Sequence, residues 1–390
     1  MNIVVIHEVG YLSKPVYEYQ DFAERLAHLG HSVTVIDFDE SCESPFTVKK
    51  VSKTRLAMVT LITLPNIGIP GLNILYARYR FGIEFKKILK DGNVDSVFLY
   101  SIFVNGIDAV KICKQLGVQV VFRAIDAYHR LRKNPWQSWL LKHGETFVYR
   151  NANLVAVTNH QMDQYVKQIA GTSCAKTFLL DHGVDTQHFR PTPINKELAE
   201  GLGIKSSDFV AVFLGTTYTF SRLNKIIAKF PEIMKRISNF KLLIIGAGEL
   251  DLEIADQIHA LGLEGQIICC GMIDYSFLPK YLALAKLAIL PFEINEITKD
   301  IIPIKMLQYL SSGLPVVSTP LPDVVKHFPA ALSGVIYSND DDILLFIEIL
   351  ESFIQKGGLE EFSKNARQFV ATNYSIDAAT YDLERILSGS

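Results

Sequence analysis

The sequence predicts an α/β protein built from two doubly wound parallel sheets. Short apolar runs alternate with amphipathic helices, which is the pattern of βαβ units. The alternation stops in residues 176–193 and starts afresh at residue 209. A chain of 390 residues also exceeds the ~250–300 residues at which a single hydrophobic core stops growing. We therefore expect two such domains that face each other across a cleft.

The first half of the chain contains the first alternation. A Gly-His turn at 30–31 separates the first helix from the second strand. The predicted helices lie near 17–29, 80–90 and 106–116, and the predicted strands are 3–6, 32–37, 96–100, 118–123, 154–158 and 178–180.

The second half repeats the pattern and ends in helices. Ligands bind such sheets beyond the carboxyl ends of their strands, so those ends are where a site is expected. The predicted strands are 209–214, 241–245, 267–270, 287–290, 315–318 and 334–337, with helices at 223–237, 250–261, 341–355 and 359–387.

Composition narrows the class of protein. Apolar residues make up 49% and charged residues 21%, as in an ordinary globular protein, and a net charge of −2 argues against a nucleic-acid binder. Residues 1–185 hold 21 Lys and Arg against 17 Asp and Glu, an excess that favours an anionic acceptor or membrane surface. The five cysteines lack metal-ligand spacing, and the N-terminus shows no signal-peptide pattern. We expect reduced thiols and a cytoplasmic location.

The run at 303–319, PIKMLQYLSSGLPVVST, is the most informative stretch. Pro303 can open a helix and Gly313 can close it in a left-handed conformation. Lys305 and Gln308 are three residues apart and share one helical face. A cation and an amide near a helix N-terminus suit a nucleotide diphosphate and its ribose. A surface helix followed by a buried strand explains the same run equally well.

Five further motifs follow one another along nearly the whole chain. They are NANLVAVT at 151–158, preceded by Glu145; DHGVD at 181–185, followed by Phe189 and Pro191; GAG at 246–248; GMI at 271–273; and LPF at 290–292. Each motif alone is weak evidence. The ordered series, together with the run at 303–319, resembles the GT-B glycosyltransferases, in particular the family 4-like group.

The resemblance implies the GT-B fold, with two Rossmann-like domains. It implies an acceptor-binding domain at 1–190, a nucleotide-sugar-binding domain at 191–372 and a terminal helix at 373–390 that crosses back to the first domain. A UDP-sugar donor and no metal cofactor are the corresponding expectations. The Pro303-x-Lys305-x-x-Gln308 pattern is also similar to a bacterial glucuronosyltransferase branch that makes exopolysaccharide. Because that branch inverts the anomeric carbon and family 4 retains it, the stereochemical outcome stays open.

The chain departs from the family pattern at the donor. The family's two glutamates correspond to Asp300 and Gln308, and its basic pair is replaced, since Ser221-Arg222 stands where Lys-Gly is usual. We expect Lys305 and Arg222 to take the diphosphate, with Lys305 neutralising the leaving group. The alternative for Lys305 is a lysine that faces solvent, and the alternative for Asp300 is an aspartate that caps a helix. The remaining donor-binding candidates that the resemblance implies are Gly10, Gly215, Gly246, Gly271, Met272, Ile273 and Ile304.

The loops after the N-terminal strands are expected to serve the acceptor. Gly10 follows the first strand, where a glycine lets backbone N–H groups reach a phosphate or an acceptor, although an ordinary turn glycine is equally consistent. Asp126 follows the strand at 118–123 and is the candidate general base if the reaction inverts; a turn or helix cap is the alternative. The acceptor-side candidates at the first strand end are His7, Glu8 and Tyr11.

The segment at 128–142, YHRLRKNPWQSWLLK, contains both tryptophans among basic residues. Such a composition suits a peripheral contact with the inner face of the plasma membrane. A solvated helix with its tryptophans in the core is the alternative.

The resemblance implies a metal-independent hexosyltransferase. It would move a sugar such as glucose or glucuronic acid from a UDP-sugar to a saccharide or lipid-linked acceptor in cell-surface or exopolysaccharide synthesis. A nicotinamide-dependent oxidoreductase fits poorly, because Asp251 stands where the third glycine of its fingerprint belongs. The same fold could also serve a sugar-nucleotide epimerase, a phosphorylase or a degenerate scaffold that only binds nucleotide.

Overall fold

The computed structural model describes residues 1–7, 9–13, 16–37, 46–65, 72–102, 105–132, 134–338, 342–356 and 358–389. The chain divides into two compact units. The first unit is Met1–His182 with Ile376–Ser390, and the second is Gly183–Ser375. The sequence predicts this division at residue 190, a few residues later.

The first unit contains an eight-stranded sheet of order β3-β4-β2-β1-β5-β6-β7-β8 among the described residues. Its pairings are parallel except that β3 runs antiparallel to β4. Its strands are β1 (Asn2–Ile6), β2 (Ser32–Asp37), β3 (Thr47–Val51), β4 (Val59–Thr63), β5 (Ser96–Leu99), β6 (Gln119–Ala124), β7 (Leu154–Val157) and β8 (Lys176–Leu179). Its first helices are α1 (Glu18–His28), α2 (Leu72–Asp91), α3 (Gly106–Leu116), α4 (Pro135–Asn151) and α5 (His160–Ala170).

The described residues of the second unit form a six-stranded parallel sheet of order β11-β10-β9-β12-β13-β14. Its strands are β9 (Phe209–Leu214), β10 (Phe240–Ile245), β11 (Ile267–Gly271), β12 (Leu287–Leu290), β13 (Val316–Ser318) and β14 (Val335–Tyr337). Its helices are α6 (Lys196–Gly201), α7 (Leu223–Ala228), α8 (Phe230–Arg236), α9 (Asp251–Leu261), α10 (Leu278–Leu282), α11 (Ile304–Ser311), α12 (Pro322–His327), α13 (Ala330–Ser333), α14 (Ile343–Lys356) and α15 (Leu359–Asn373).

The strands form because their residues can be buried on both faces. All six residues of β9 and all four of β12 are buried, as expected for parallel strands covered by helices on each side. The last helix, α16 (Ile376–Ser388), packs on α1, β5 and β6 and so completes the first unit. Two Rossmann-like parallel-sheet units are the architecture that the sequence predicted.

Two predicted helices are divided in the structure. The helix predicted at 223–237 is α7 and α8, because Pro231 lacks the N–H that a continuous helix would use there. The helix predicted at 359–387 is α15 and α16, which are separated by Tyr374 and Ser375. The strand pair β3 and β4 was not predicted. In β3 the side chains are largely exposed and two are lysines, a pattern that protects an edge strand and weakens the apolar signal.

No helix in the described part of the chain is both long and apolar enough to cross a membrane.

Candidate functional site

The second unit presents a site at the carboxyl ends of β9 and β12. These two neighbouring strands mark the point where the order of the sheet reverses, because β10 and β11 lie on one side and β13 and β14 on the other. Gly215 directly follows β9, and Lys305 lies in the first turn of α11, which connects β12 to β13. Ligands of doubly wound sheets bind at such reversal points.

The ammonium group of Lys305 lies among apolar groups in this site. Its Nζ is 4.4 Å from the ring centroid of Phe213 and 4.9 Å from that of Phe292. It makes no hydrogen bond or ion pair within the described residues. Removal from water lowers the pKa of Lys305 to about 7. A cation that lies over two aromatic rings and has no acidic partner can form a strong electrostatic interaction with a bound anion.

Glycines form the edge of the sheet beside this lysine. A Cβ on Gly215, whose φ is +118°, would lie 2.6 Å from Nζ of Lys305. A Cβ on Gly246, whose φ is +128°, would lie 2.2 Å from the carbonyl oxygen of Gly215. The N–H of Gly215 donates to Ile245 and that of Gly246 to Gly271, both at 2.8 Å. Gly215 and Gly246 therefore directly follow β9 and β10, and Gly271 ends β11, so the three glycines form one row, each with a positive φ that side chains rarely adopt.

Helix α11 directs its N-terminus at the same edge. Pro303 is the N-cap residue and Gly313 follows the helix with a left-handed φ of +76°, so the predicted start and stop of this helix are confirmed. The first N–H groups of a helix, here including that of Ile304, have no partner within the helix. Gln308 lies one turn after Lys305 and is half-buried. The helix thus combines a cation with the positive end of its dipole.

Arg222 supports this site through backbone carbonyls. The residue is buried in a left-handed conformation, and its Nε and Nη2 donate to the carbonyl oxygens of Pro291 and Phe292 at 2.8 and 3.1 Å. Thr319 Oγ1 donates to the same Phe292 oxygen at 2.6 Å. Arg222 therefore holds the loop that places the Phe292 ring against Lys305. Its predicted contact with a diphosphate stays a prediction.

The other donor-side candidates lie in the loops that follow β11 and β12. Met272 is exposed, whereas the side chain of Ile273 packs against the core of the unit. Asp300 is half-buried in the loop that leads from β12 to α11. Within the described residues, no group of three or more His, Cys, Asp and Glu side chains is placed to hold a metal ion.

The first unit presents a second polar edge at the carboxyl ends of β1 and β5, where its own strand order reverses. The ring of His7 lies 4.2 Å from that of Tyr19 and 5.4 Å from that of Tyr100. Burial lowers the pKa of His7 to about 4, so the ring is neutral at pH 7. Its Nδ1 accepts the N–H of Val9 at 3.2 Å, which assigns the proton to Nε2. His7 is thus a neutral donor at this edge.

The other candidates near β1 have different surroundings. Tyr11 is fully buried, and its hydroxyl donates to Glu24 at 3.0 Å, so its side chain faces the core and its assignment to the acceptor side stays a prediction. The side chain turns into the core because its ring packs beside Tyr19 and its N–H is held by Asp37. Gly10 is buried, and its carbonyl accepts the Tyr19 hydroxyl at 3.3 Å. Glu8 lies outside the described residues.

Asp126 lies two residues after β6, at the same edge of the sheet. Burial raises the pKa of its carboxyl group, the charge of His182 lowers it and the charge of Glu18 raises it. No hydrogen bond to this carboxylate is made within the part of the chain that the structure describes. The group is therefore available to a ligand.

Glu145, which precedes the NANLVAVT motif, holds the turn after Asp126. It is fully buried, and its carboxylate binds His129 at 2.7 Å and the Tyr165 hydroxyl at 2.9 Å. His129 belongs to the 3-10 turn Tyr128–Leu131. Burial raises the pKa of Glu145, as expected for a carboxylate in the interior.

The segment at 128–142 continues into α4, and its tryptophans are not core residues. Trp136 and Trp139 are 65% and 49% exposed, and their rings stack at 5.0 Å. The interpretation that placed them in the core was therefore wrong. On α2, Leu75, Tyr79 and Ile83 are exposed at intervals of four residues, which places them on one face.

Sequence reasoning missed the groups that only the fold brings together. Phe213 is the fifth residue of an apolar strand, and no local pattern marks it as a neighbour of Lys305. Glu18 and Arg123 form a fully buried ion pair although they are 105 residues apart. A charged residue inside an apolar strand was the available signal for Arg123.

Comparison with known proteins matches both halves of the chain to glycosyltransferases. The model described as Glycosyltransferase Family 4 matches residues 19–188, and the model described as Glycosyl transferases group 1 matches residues 208–355. The alpha-monoglucosyldiacylglycerol synthase of Streptococcus pneumoniae is 24% identical over 197 residues, which are 50% of this chain and 43% of that protein. The chain spans about half the length of the curated relatives that it matches.

Solved structures show the same fold over the whole chain. The sucrose-phosphate synthase of Thermosynechococcus elongatus superposes with a TM-score of 0.75 at 15% identity, covering 99% of this chain and 98% of that one. The Anabaena HepE protein, solved in complex with UDP, superposes with a TM-score of 0.74 at 14% identity, covering 100% of both chains. These likenesses establish the GT-B architecture.

Proposed function

We propose that this chain, whose two halves match models of family 4 and group 1 glycosyltransferases, transfers a sugar from a UDP-sugar to a saccharide or lipid-linked acceptor in cell-surface or exopolysaccharide synthesis. The observation that carries the proposal is the Lys305 ammonium, placed over Phe213 and Phe292 beside a row of glycines. The HepE structure in complex with UDP supports a uridine nucleotide as the donor.

Lys305 and α11 would act on the leaving group. When the bond between the anomeric carbon and the diphosphate oxygen breaks, that oxygen keeps the electron pair and becomes more negative. The ammonium and the N-terminal N–H groups of α11 would stabilise this charge. The low pKa of Lys305 supports the assignment, because a phosphate beside the amine repays the cost of burying its charge.

Asp126 would act on the acceptor if the enzyme inverts. The acceptor hydroxyl oxygen forms the new bond to the anomeric carbon, and its proton passes to the Asp126 carboxylate. The absence of a protein hydrogen bond to this carboxylate, within the described residues, supports a role toward a ligand. A retaining reaction needs no such base.

We further propose that no divalent metal is needed. The support is the charge of Lys305 and of the α11 N-terminus at the place where a metal would otherwise neutralise the diphosphate. Activity is expected to persist in EDTA. Loss of activity in EDTA that Mg²⁺ or Mn²⁺ restores would contradict this part of the proposal.

A lipid-linked acceptor would bring the protein to a membrane surface on the cytoplasmic side. Helices α2 and α4 both pack on α3 and so lie on one side of the first sheet. Their exposed apolar residues, Tyr79, Trp136 and Trp139 among them, are accompanied by exposed Lys86 and Lys142. Aromatic and basic side chains together favour an anionic bilayer surface. The name of the pneumococcal relative, a glucosyldiacylglycerol synthase, supports a lipid acceptor.

Vesicle sedimentation tests this surface. The wild type is expected to bind vesicles that contain anionic phospholipid more strongly than neutral vesicles. The double variant Trp136→Ala/Trp139→Ala should lose most of this binding, whereas Tyr381→Ala, which removes an exposed aromatic ring from α16, should not. Equal binding by both variants would exclude the α4 surface.

The donor is tested by thermal shift with UDP-, GDP- and ADP-sugars. A ligand that binds only the folded protein raises its melting temperature. We expect the largest shift with a UDP-sugar and a much smaller one in Lys305→Met. Equal shifts in the two proteins would remove Lys305 from the site, and a larger shift with a GDP- or ADP-sugar would overturn the choice of uridine. Binding without any turnover would favour a degenerate nucleotide-binding scaffold.

A further inference from the structure

The ends of β9 and β12 separate at the site of Lys305. Among the described residues, β9 pairs with β12 only through Ala211 and Val212. Beyond that point β9 continues beside β10 as far as Leu214, and β12 continues beside β13 as far as Leu290. A gap therefore opens between the two strands at their carboxyl ends, which is where ligands of such sheets bind.

The hydroxyl of Tyr309 lies in this gap and pairs with β9 in the place of β12. The N–H of Gly215 donates to Ile245 of β10, so the N–H of the preceding residue, Leu214, points to the other side of the strand, toward β12. The Tyr309 hydroxyl accepts that N–H at 2.5 Å and lies 3.4 Å from the carbonyl oxygen of the same residue. The hydroxyl thus satisfies backbone groups that a neighbouring strand would otherwise pair.

Tyr309 and Lys305 are four residues apart on α11 and so lie on one face of the helix. The side chain of Tyr309 is fully buried, and its hydroxyl binds Leu214. The residues on either side of that contact lie beside the lysine amine. The ring of Phe213 lies 4.4 Å from Nζ, and a Cβ on Gly215 would lie 2.6 Å from it. One hydrogen bond therefore fixes α11 against the part of β9 over which the amine lies.

We propose that Tyr309 is a positioning residue for Lys305, because its hydroxyl holds the lysine amine over the end of β9 and keeps the gap beside β12 open for a diphosphate. The mechanistic part of this inference rests on the proposed function, in which Lys305 stabilises the leaving group. The amine itself makes no hydrogen bond or ion pair within the described residues, so its position depends on the rest of α11. A hydrogen bond to the backbone fixes both a separation and a direction.

Tyr309→Phe tests the inference, because it removes the hydroxyl and keeps the ring. The N–H of Leu214 then loses its partner, so water enters the gap or the ends of β9 and α11 move apart. In both cases the amine of Lys305 becomes better hydrated. Its pKa, which burial lowers to about 7, should therefore rise toward 10.5.

The titration of Lys305 is measured by NMR without any substrate. Lysine labelled with ¹³C at Cε is observed in the full chain, and Lys305→Met identifies the resonance. We expect a midpoint of about 7 in the wild type. The midpoint in Tyr309→Phe should be higher by about 1 pH unit or more. An unchanged midpoint in this variant would overturn the inference.

Tyr337→Phe is the matched control. The Tyr337 hydroxyl also donates to the backbone of the second unit, to the carbonyl oxygens of Phe328 at 2.7 Å and Val324 at 3.3 Å, but it joins β14 to α12 and its C-cap residue. Its loss should leave the Lys305 midpoint unchanged. An equal rise in both variants would reflect a loosening of the whole unit and would overturn the inference.

Amide hydrogen exchange in the wild type gives a test that needs no variant. Leu214 is the last residue of β9 and lies beyond the point where β12 pairs with that strand, yet its N–H should be protected by the Tyr309 hydroxyl. Exchange of the Leu214 amide at the rate of an open, unpaired amide would overturn the inference.

Turnover distinguishes the inference from a general effect on stability and from the proposed function. Tyr309→Phe should lower kcat at least about tenfold, because a small misplacement of a group that acts on the transition state is costly. The same substitution added to Lys305→Met should lower kcat no further, because Tyr309 acts through the lysine. An equal loss in both backgrounds would overturn the inference. A raised Lys305 midpoint with unimpaired turnover would confirm the positioning of the amine and refute the role of Lys305 in the proposed function.

Discussion

Binding of a UDP-sugar is expected to draw a proton onto Lys305. Without ligand the lysine has a pKa of about 7, because its amine is removed from water beside Phe213 and Phe292. A diphosphate next to the amine favours the charged form and moves this pKa back toward 10.5. The perturbation to compare is Lys305→Met, which keeps the length of the side chain and removes the titrating group.

The number of protons taken up on binding follows from the protonation of Lys305 in the free and in the ligand-bound protein. A group with a pKa of about 7 is about half protonated at pH 7 and about one tenth protonated at pH 8. If the bound form is fully protonated, binding takes up about 0.5 proton at pH 7 and about 0.9 proton at pH 8. UDP-glucose is the suitable ligand, because its diphosphate, unlike that of UDP, has no terminal phosphate that titrates near neutral pH.

Calorimetric titration in buffers of different ionisation enthalpy measures this uptake. The slope of the observed enthalpy against the buffer enthalpy is the number of protons taken up. We expect the slope to rise between pH 6 and pH 8 in the wild type and to be near zero in Lys305→Met. Tight binding with no pH-dependent uptake, or the same uptake in the variant, would refute the view that Lys305 meets the diphosphate.

Three further outcomes are expected. In Gly215→Ala the new Cβ would lie 2.6 Å from Nζ of Lys305 at a φ of +118°, so the affinity for a UDP-sugar, measured by calorimetry, should fall at least about tenfold. The control is Gly262→Ala, at a glycine that also has a positive φ but has no atom within 4 Å of the new Cβ, and it should leave the affinity unchanged. Asp126→Asn should lose most turnover and keep donor affinity if NMR of the product shows inversion, and an inverting enzyme with an unimpaired variant would eliminate Asp126 as the base. The pKa of Lys305 is lower in the folded chain than the ordinary 10.5, so the cost of burying its charge is full below pH 7 and disappears toward pH 10.5. The free energy of unfolding in urea should therefore rise with pH in the wild type relative to Lys305→Met. Parallel curves of unfolding free energy against pH for the two proteins would contradict this.

Local patterns in the sequence were sufficient for most of the fold. The apolar strands of the second unit and the helix between Pro303 and Gly313 follow from residue types that act within a few positions. The same local rules failed at a proline that interrupts a helix and at an edge strand. Pro231 divides one helix, and the lysines of β3 face solvent and hide that strand from an apolar pattern.

The site was only partly predictable. Lys305 became a candidate because a cation followed a helix-opening proline, but its low pKa comes from burial beside Phe213 and Phe292, which lie on other elements. The burial of the Tyr11 side chain could not be predicted, because a position near a strand end does not reveal where the side chain points. The cluster of Glu18, Arg123 and His182 comes from three distant segments, and its only local signal is Arg123, a charged residue inside an apolar strand.

The most direct test of the account is release of UDP from a panel of UDP-sugars, measured with the wild type and Lys305→Ala in the presence of candidate lipid and saccharide acceptors. We expect the wild type to release UDP with at least one donor. Loss of a group aimed at developing charge costs on the order of 10²–10³ in rate, and Lys305→Ala should show that loss without a fall in its melting temperature. Release of UDP by Lys305→Ala at a rate near that of the wild type, or binding of no uridine nucleotide by either protein, would contradict the central claim.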